Sequence, residues 1–148
     1  MDMTIDDAEH RGRFDRAVLL FNRGEFYEAH EDWEALWLEA DGAYRLWLQG
    51  MIQYAAAFVH FKRGFYPRGF SRLMEQATEK CDPYKGPTDH IDWPALRTQL
   101  EPFILHGREV RDGAEMGSGT LPALPQICYE EGYSPSPLPI ERTHEDPA

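Results

Sequence analysis

Lysine is scarce in this 148-residue chain, and acidic residues greatly outnumber basic ones. Lysine occurs only at positions 62, 80 and 85, and the formal net charge is −11. A nucleic-acid backbone or an anionic membrane surface is bound by clustered Lys and Arg, so we expect neither partner. Strong acidity with little lysine is also typical of proteins from salt-loving archaea, whose carboxylate-rich surfaces stay dispersed in concentrated salt. The alternative is an ordinary acidic protein of the cytosol.

Cysteine and long apolar runs are also scarce. Cys81 and Cys128 are too few for a disulfide scaffold, and no CxxC motif is present for metal or redox chemistry. The first ten residues, MDMTIDDAEH, are too acidic for a secretory signal. The chain has no run of about 18 apolar residues, which is the length needed to span a bilayer. We therefore expect a cytoplasmic protein without a membrane segment.

Apolar residues recur at helical spacing in five segments and predict an all-α protein, a compact bundle of about five helices. Gly, Pro and Asp turn signals separate the segments. Pro102 is expected to kink or split the fifth helix. The predicted helices run to about 22, from 25 to 40, from the Asp41-Gly42 turn to about 63, from 67 to about 82, and from 92 to about 112.

The third helix is the most apolar and is expected to occupy the centre of the bundle. Its segment 46–61, LWLQGMIQYAAAFVHF, is apolar almost all the way round. After Asp112 the composition changes to Gly, Ser and Pro. We therefore divide the chain into a helical domain, 1–112, and an extended Pro-rich tail, 113–148, partly packed on the bundle through Ile127 and Tyr129.

One polar stripe interrupts the apolar surface of the central helix. Gln49, Gln53 and His60 share one side of it. On the second helix, His30 and Glu34 are i, i+4 neighbours at the edge of the apolar face, and Glu31 lies further round. If the second and third helices form an antiparallel hairpin, the two sets would face each other. The sequence thus predicts a buried polar seam between these helices.

Three hypotheses for this seam remain open. A metal site is suggested by His30-Glu31-x-x-Glu34, although Glu34 stands where a zincin helix has its second His, and Tyr27 breaks the Glu-x-x-His pattern of di-iron bundles. An acid–base or small-ligand pocket would use Glu34 to orient His30 and the amides of Gln49 and Gln53 to fix a polar ligand. A satisfied hydrogen-bond network would only fix helix register. The residues specify no cofactor and no reaction.

Weaker candidates lie elsewhere in the chain. His90 and His106 have no spaced partner and are expected on the surface. Arg63, Arg68 and Arg72 could hold an anion near the start of the fourth helix, or could form a solvated face. The aromatic residues 65, 66 and 93, if exposed, would favour self-association and an interaction module instead of an enzyme.

Two segments resemble the family called domain of unknown function 309. These are FNRGEFYEAHEDWEALW, residues 21–37, and LQGMIQYAAAFVHFKRG, residues 48–64. The resemblance covers about the first half of the chain and implies an all-α bundle, without supplying an activity. Phe65 and Phe70 depart from the family pattern, which has Asn and Ala there. The matching positions are Asn22, Gly24, His30, Glu31, Glu34, Trp37, Gln49, Gly50, Gln53 and Gly64.

Overall fold

Five α-helices follow one another along the chain, as the apolar periodicity predicts. The computed structural model describes residues 7–64, 66–117 and 119–140. Within these ranges the fold is all-α, and β-structure is limited to isolated bridges of Ile91 with Thr88 and Tyr129. The helices are α1 (Ala8–Asn22), α2 (Phe26–Trp37), α3 (Gly42–Arg63), α4 (Pro67–Cys81) and α5 (Trp93–Arg111).

Local signals explain where the helices begin and end. Asp7 caps α1 by accepting hydrogen bonds from the backbone N–H groups of Glu9 and His10. Asp92 caps α5 through the N–H of Ala95. Gly64 ends α3 in the left-handed conformation, with φ of 75°.

The central helix α3 is surrounded by aromatic side chains from the other helices, as expected from its composition. Trp47, Met51 and Phe58 are fully buried in it. The ring centroid of Phe58 lies 5.2 Å from that of Phe26 on α2 and 5.2 Å from that of Phe103 on α5. These contacts place α3 between its sequence neighbours and the last helix.

Helix α4 packs closely on α3 because one glycine allows it. A Cβ atom at Gly50 would lie 2.3 Å from Sγ of Cys81 and 3.2 Å from the carbonyl oxygen of Ala77. The thiol of Cys81 also donates to the carbonyl of Trp47 at 3.5 Å. The side of α3 that carries Gly50 therefore faces α4.

The segment 113–140, here called the tail, packs back on the bundle at several points. The Asn22 amide donates to the carbonyl of Ile127 at 2.9 Å and accepts from its N–H at 2.6 Å. Gln99 exchanges two hydrogen bonds with Gln126. Further along, the N–H of Leu138 donates to the carbonyl of Gly12 on α1 at 3.0 Å.

Two expectations about single residues are corrected, and a third is narrowed. Helix α5 continues through Pro102, so the proline does not split it, and the expected kink stays a prediction. His106 is 2% exposed, because Nε2 accepts a 3.1 Å hydrogen bond from the N–H of Gly117 and the ring packs against Phe61 and Phe70. Trp93 is 1% exposed and donates to the carbonyl of Tyr84, so it offers no surface for self-association.

Candidate functional site

His30 and Glu34 lie on the outer edge of α2. The Nδ1 atom of His30 is 3.1 Å from the carbonyl oxygen of Tyr27, and Nε2 is 3.7 Å from a carboxylate oxygen of Glu34. The side chain of His30 is 22% exposed and that of Glu34 is 55% exposed; Glu31 is also exposed. The two side chains are thus neighbours at the surface, and their catalytic role stays a prediction.

The polar stripe of α3 faces α4 instead of α2. The Gln53 amide donates to Oε1 of Gln76 on α4 at 3.1 Å. His60 packs where α4 begins: a Cβ atom at Gly69 would lie 3.1 Å from the His60 ring. The His60 ring centroid is 5.6 Å from that of Tyr66. The predicted seam is therefore corrected, because Gln53 and His60 contact the fourth helix.

Two atoms of this stripe are buried without a partner among the described residues. They are Oε1 of Gln53 and Nδ1 of His60. Burial, with a smaller contribution from the nearby charge of Arg63, lowers the pKa of His60. Gln49 is half-buried on the same helix. The stripe thus lies beneath α4 with only some of its hydrogen-bonding groups paired.

A groove lies on the other side of α4, between its first half and the end of α5. We call it the α4–α5 groove; it has a volume of ≈ 960 Å³. It is lined from α4 by Arg68, Arg72 and Glu75, among others, and from the end of α5 by Val110 and Arg111. Tyr66 and Gln76, which contact the polar stripe of α3, line it as well. The polar stripe of α3 therefore contacts two of the residues that line the α4–α5 groove.

The groove carries positive charge that other parts of the protein do not balance. Among the described residues, Arg68 and Arg72 have no ion-pair partner, and Glu75 is 3.3 Å from Nε of Arg108. Arg63 lines a different depression, beside Gly24, so the three arginines singled out from the sequence are not brought together. Arginines that do pair with carboxylates are Arg11, Arg13, Arg16, Arg23, Arg97, Arg108 and Arg111.

The most extensive buried polar cluster joins α1 to the tail. Asp15, 1% exposed, accepts hydrogen bonds from Arg11, from the hydroxyls of Tyr129 and Tyr133, and from the N–H of Ser136. We call these five residues, together with Asp89 and Tyr44, the Arg11 cluster. Arg11 also pairs with Asp89, which accepts from the Tyr44 hydroxyl at 2.7 Å.

The electrostatics of the Arg11 cluster indicate a structural role. Burial, reinforced by the carboxylate of Asp89, raises the pKa of Tyr44 above its usual value. Burial and the charge of Asp15 do the same for the pKa of Tyr129. Burial alone would lower the pKa of Arg11, but the two carboxylates raise it. Tyr44 and Tyr129 are thus kept protonated and Arg11 is kept charged at neutral pH, and the polar groups of the cluster bind one another.

Sequence reasoning missed this cluster and one further buried acid. This acid is Asp32 on α2, which is 7% exposed because Arg16 binds it through two nitrogens at 2.7 and 2.8 Å. Arg11 and Asp15 are i, i+4 neighbours beside the apolar face of α1, which was the available signal. Their partners in the tail are more than 110 residues away, and no local pattern identifies them.

The described residues contain no group of three or more His, Cys, Asp and Glu side chains placed to hold a metal ion. The metal hypothesis for His30 and its neighbours therefore gains no support from the geometry. Within the same residues, no helix combines the length and apolar composition needed to cross a membrane.

A known family model matches part of the chain. Residues 14–73 match the family model described as Domain of unknown function (DUF309), in agreement with the resemblance seen in the sequence. The matched segment runs from Phe14 on α1 through α2 and α3 to Leu73 on α4, so it includes Arg68 and Arg72 but not α5. No curated protein matches the chain significantly.

Proposed function

With residues 14–73 assigned to the DUF309 family, we propose that this protein binds a small organic anion in the α4–α5 groove. The observation that carries the proposal is the pair of arginines, Arg68 and Arg72, which line the groove without an ion-pair partner among the described residues. We propose binding and no reaction, since no acid–base pair has been identified among the described residues that line the groove.

Arg68 and Arg72 lack an ion pair with any described residue even though the whole chain has an excess of acidic residues. The protein has 26 acidic and 15 basic residues, so a carboxylate partner is available for most arginines. Guanidinium groups that lack a carboxylate in such a protein are free to bind an external one, or a phosphate, through paired hydrogen bonds. Within the part of the chain that the structure describes, Arg111, across the groove, pairs only with its exposed neighbour Asp112 at 3.3 Å. A third guanidinium is thus within the same groove.

The apolar part of the lining favours an organic anion over a bare inorganic ion. Val110, Ala114, Tyr66 and Pro67 are among the residues that line the groove. Ligand pockets typically combine such an apolar surface with a few polar groups that fix orientation. The volume of ≈ 960 Å³ lies at the upper end of the range usual for small-molecule sites.

Isothermal titration calorimetry with 1-naphthoate tests the proposal, because this probe joins a carboxylate to an apolar body. We expect saturable binding at one site, weakened at least about tenfold in the variant Arg68→Gln/Arg72→Gln, because charged hydrogen bonds are lost. The matched control is Lys85→Gln, which removes one exposed cation beyond the other end of α4. This control should change affinity by less than about twofold.

Two results would contradict the proposal. One is the absence of saturable binding to the wild-type chain. The other is equal weakening in Lys85→Gln, which would assign the binding to the overall charge of the protein and not to the groove. Chemical shifts of the Val110 methyl groups give an independent location, since they should move on addition of the probe only if it enters the groove.

The cytoplasmic location expected from the sequence forms part of the same proposal. Both cysteines, the buried Cys81 and the exposed Cys128, are free thiols. Free thiols are usual in reducing compartments. Fractionation of cells that produce the untagged protein tests the location, and recovery mainly outside the cytoplasmic fraction would contradict it.

A further inference from the structure

Helix α4 begins without the acidic groups found at other helix starts in this protein. No side chain caps it and its first turn has no acid, whereas Asp7 caps α1 and Asp92 caps α5. The first backbone N–H groups of any helix have no partner inside the helix, and the helix dipole makes this end positive. At α4 the residue in that first turn is instead Arg68, a cation where the dipole favours an anion.

Ser71 provides the second and independent observation. It is 7% exposed and lines the α4–α5 groove. Its hydroxyl has no hydrogen-bond partner among the described residues. Thr78, on the same helix, shows the usual arrangement, in which the hydroxyl donates to the carbonyl four residues earlier, Met74, at 2.7 Å. The Ser71 hydroxyl is thus a nearly buried donor that remains free toward the groove.

Arg68 and Arg72 lie one helical turn apart and flank Ser71 on the same face of α4. Two like charges at i, i+4 repel each other, and Arg68 lies in the first turn of α4, at the positive end of the helix dipole. Both unfavourable terms are offset if a multiply charged anion binds between the two guanidinium groups. A single carboxylate has one charge and two oxygens, so it offsets the charge repulsion and the dipole effect less.

We propose that the α4–α5 groove binds a small phosphomonoester, with its phosphate between Arg68, Arg72 and the Ser71 hydroxyl and its apolar body toward Val110 and Ala114. This inference rests on the proposed function and narrows it to one ligand class. A phosphomonoester near neutral pH carries about 1.5 to 2 negative charges and three acceptor oxygens. Two guanidinium forks and one hydroxyl match that number of acceptors.

The test compares two probes that share one apolar body, 1-naphthyl phosphate and 1-naphthoate, by titration calorimetry in the same buffer. We expect the wild-type chain to bind the phosphate at least about tenfold more tightly than the carboxylate. Ser71→Ala should weaken 1-naphthyl phosphate binding by about tenfold and 1-naphthoate binding by less than about twofold. Ser134→Ala, in the exposed part of the tail, is the matched control and should change neither affinity. Inorganic phosphate should compete with both probes.

The outcomes separate this inference from the proposed function. Equal affinity for the two probes, with weakening of both in Arg68→Gln/Arg72→Gln, would overturn the phosphomonoester assignment and leave organic-anion binding in place. Binding of neither probe would overturn both. A tighter phosphate complex that is unaffected by Ser71→Ala would contradict the proposed position of the phosphate. Circular dichroism of each variant confirms that a lost affinity is not a lost fold.

Discussion

At the scale of single residues, Gly50 determines how closely α3 and α4 approach. A Cβ atom there would lie 2.3 Å from the buried Sγ of Cys81. Gly50→Ala gains about 1 kcal/mol in helix propensity but must displace a packed thiol and the backbone of Ala77, and such overpacking costs about 1–3 kcal/mol. Because the 2.3 Å approach to Cys81 places the cost in the upper half of that range, we expect a net loss of about 1–2 kcal/mol in the free energy of unfolding, measured by urea denaturation.

Gly86 is the matched control for that substitution. A Cβ atom at Gly86 has no neighbour within 4 Å, and its φ is not positive. Gly86→Ala should therefore leave stability unchanged or raise it slightly. A Gly50→Ala variant as stable as Gly86→Ala would show that α4 moves away from α3 at little cost, against the close packing described above.

At the scale of helices, Pro102 lies inside α5 and lacks the N–H that would bond to the carbonyl of Thr98. Proline in a helix interior is about 3 kcal/mol less favourable than alanine. We therefore expect Pro102→Ala to stabilise the protein by about 1–3 kcal/mol, measured as an increase in the urea midpoint. Pro137→Ala, in the exposed tail, gains no helical bond and should cost up to about 1 kcal/mol. A lower midpoint for Pro102→Ala would mean that packing of the proline ring outweighs the missing bond.

The helices themselves could be predicted from local pattern, but their neighbours could not. Apolar spacing and the signals at Gly24, Gly64, Pro67 and Asp92 are properties of short segments, so element type and approximate limits follow from them. The sequence shows that Gln53 and His60 form a polar stripe. Because a central helix has several neighbours, the sequence does not show which of them the stripe contacts. The nearby Gly50 was a signal that another helix approaches this side closely, although the sequence does not say which helix it is.

The α4–α5 groove was visible in the sequence only as scattered residues. The arginines 63, 68 and 72 were noted together because they are close in the chain, yet the fold separates Arg63 from the other two. Arg111 comes from the end of α5. A site assembled from two helices depends on how they pack, which spacing within one helix cannot give.

At the scale of the whole molecule, the Arg11 cluster holds α1, the segment before α5 and the tail together. All four groups that contact the Asp15 carboxylate are donors. Asp15→Asn places an amide N–H₂ against some of these donors and leaves Arg11 with Asp89 alone. We expect a loss of about 3–5 kcal/mol in the free energy of unfolding, as for other broken buried ion pairs.

Glu101→Gln is the matched control for Asp15→Asn. Glu101 pairs with Arg97 at 2.7 Å, but its side chain is 47% exposed. Exposed pairs contribute at most about 1 kcal/mol, so this variant should unfold close to the wild-type midpoint. If Asp15→Asn and Glu101→Gln lose similar stability, the cluster does not hold the tail in the way proposed. The same conclusion would follow if Asp15→Asn were nearly as stable as the wild-type protein.

The link between α1 and the tail also determines when the protein can fold during its synthesis. Asp15 and Ser136 are 121 residues apart in sequence, an interval that a ribosome needs on the order of 10 s to translate. Throughout that time the first helix lacks three of the donors that its buried carboxylate binds in the native protein. The nascent chain therefore reaches its native state only after Ser136 has been translated, and α1 depends on residues made long after it to become stable.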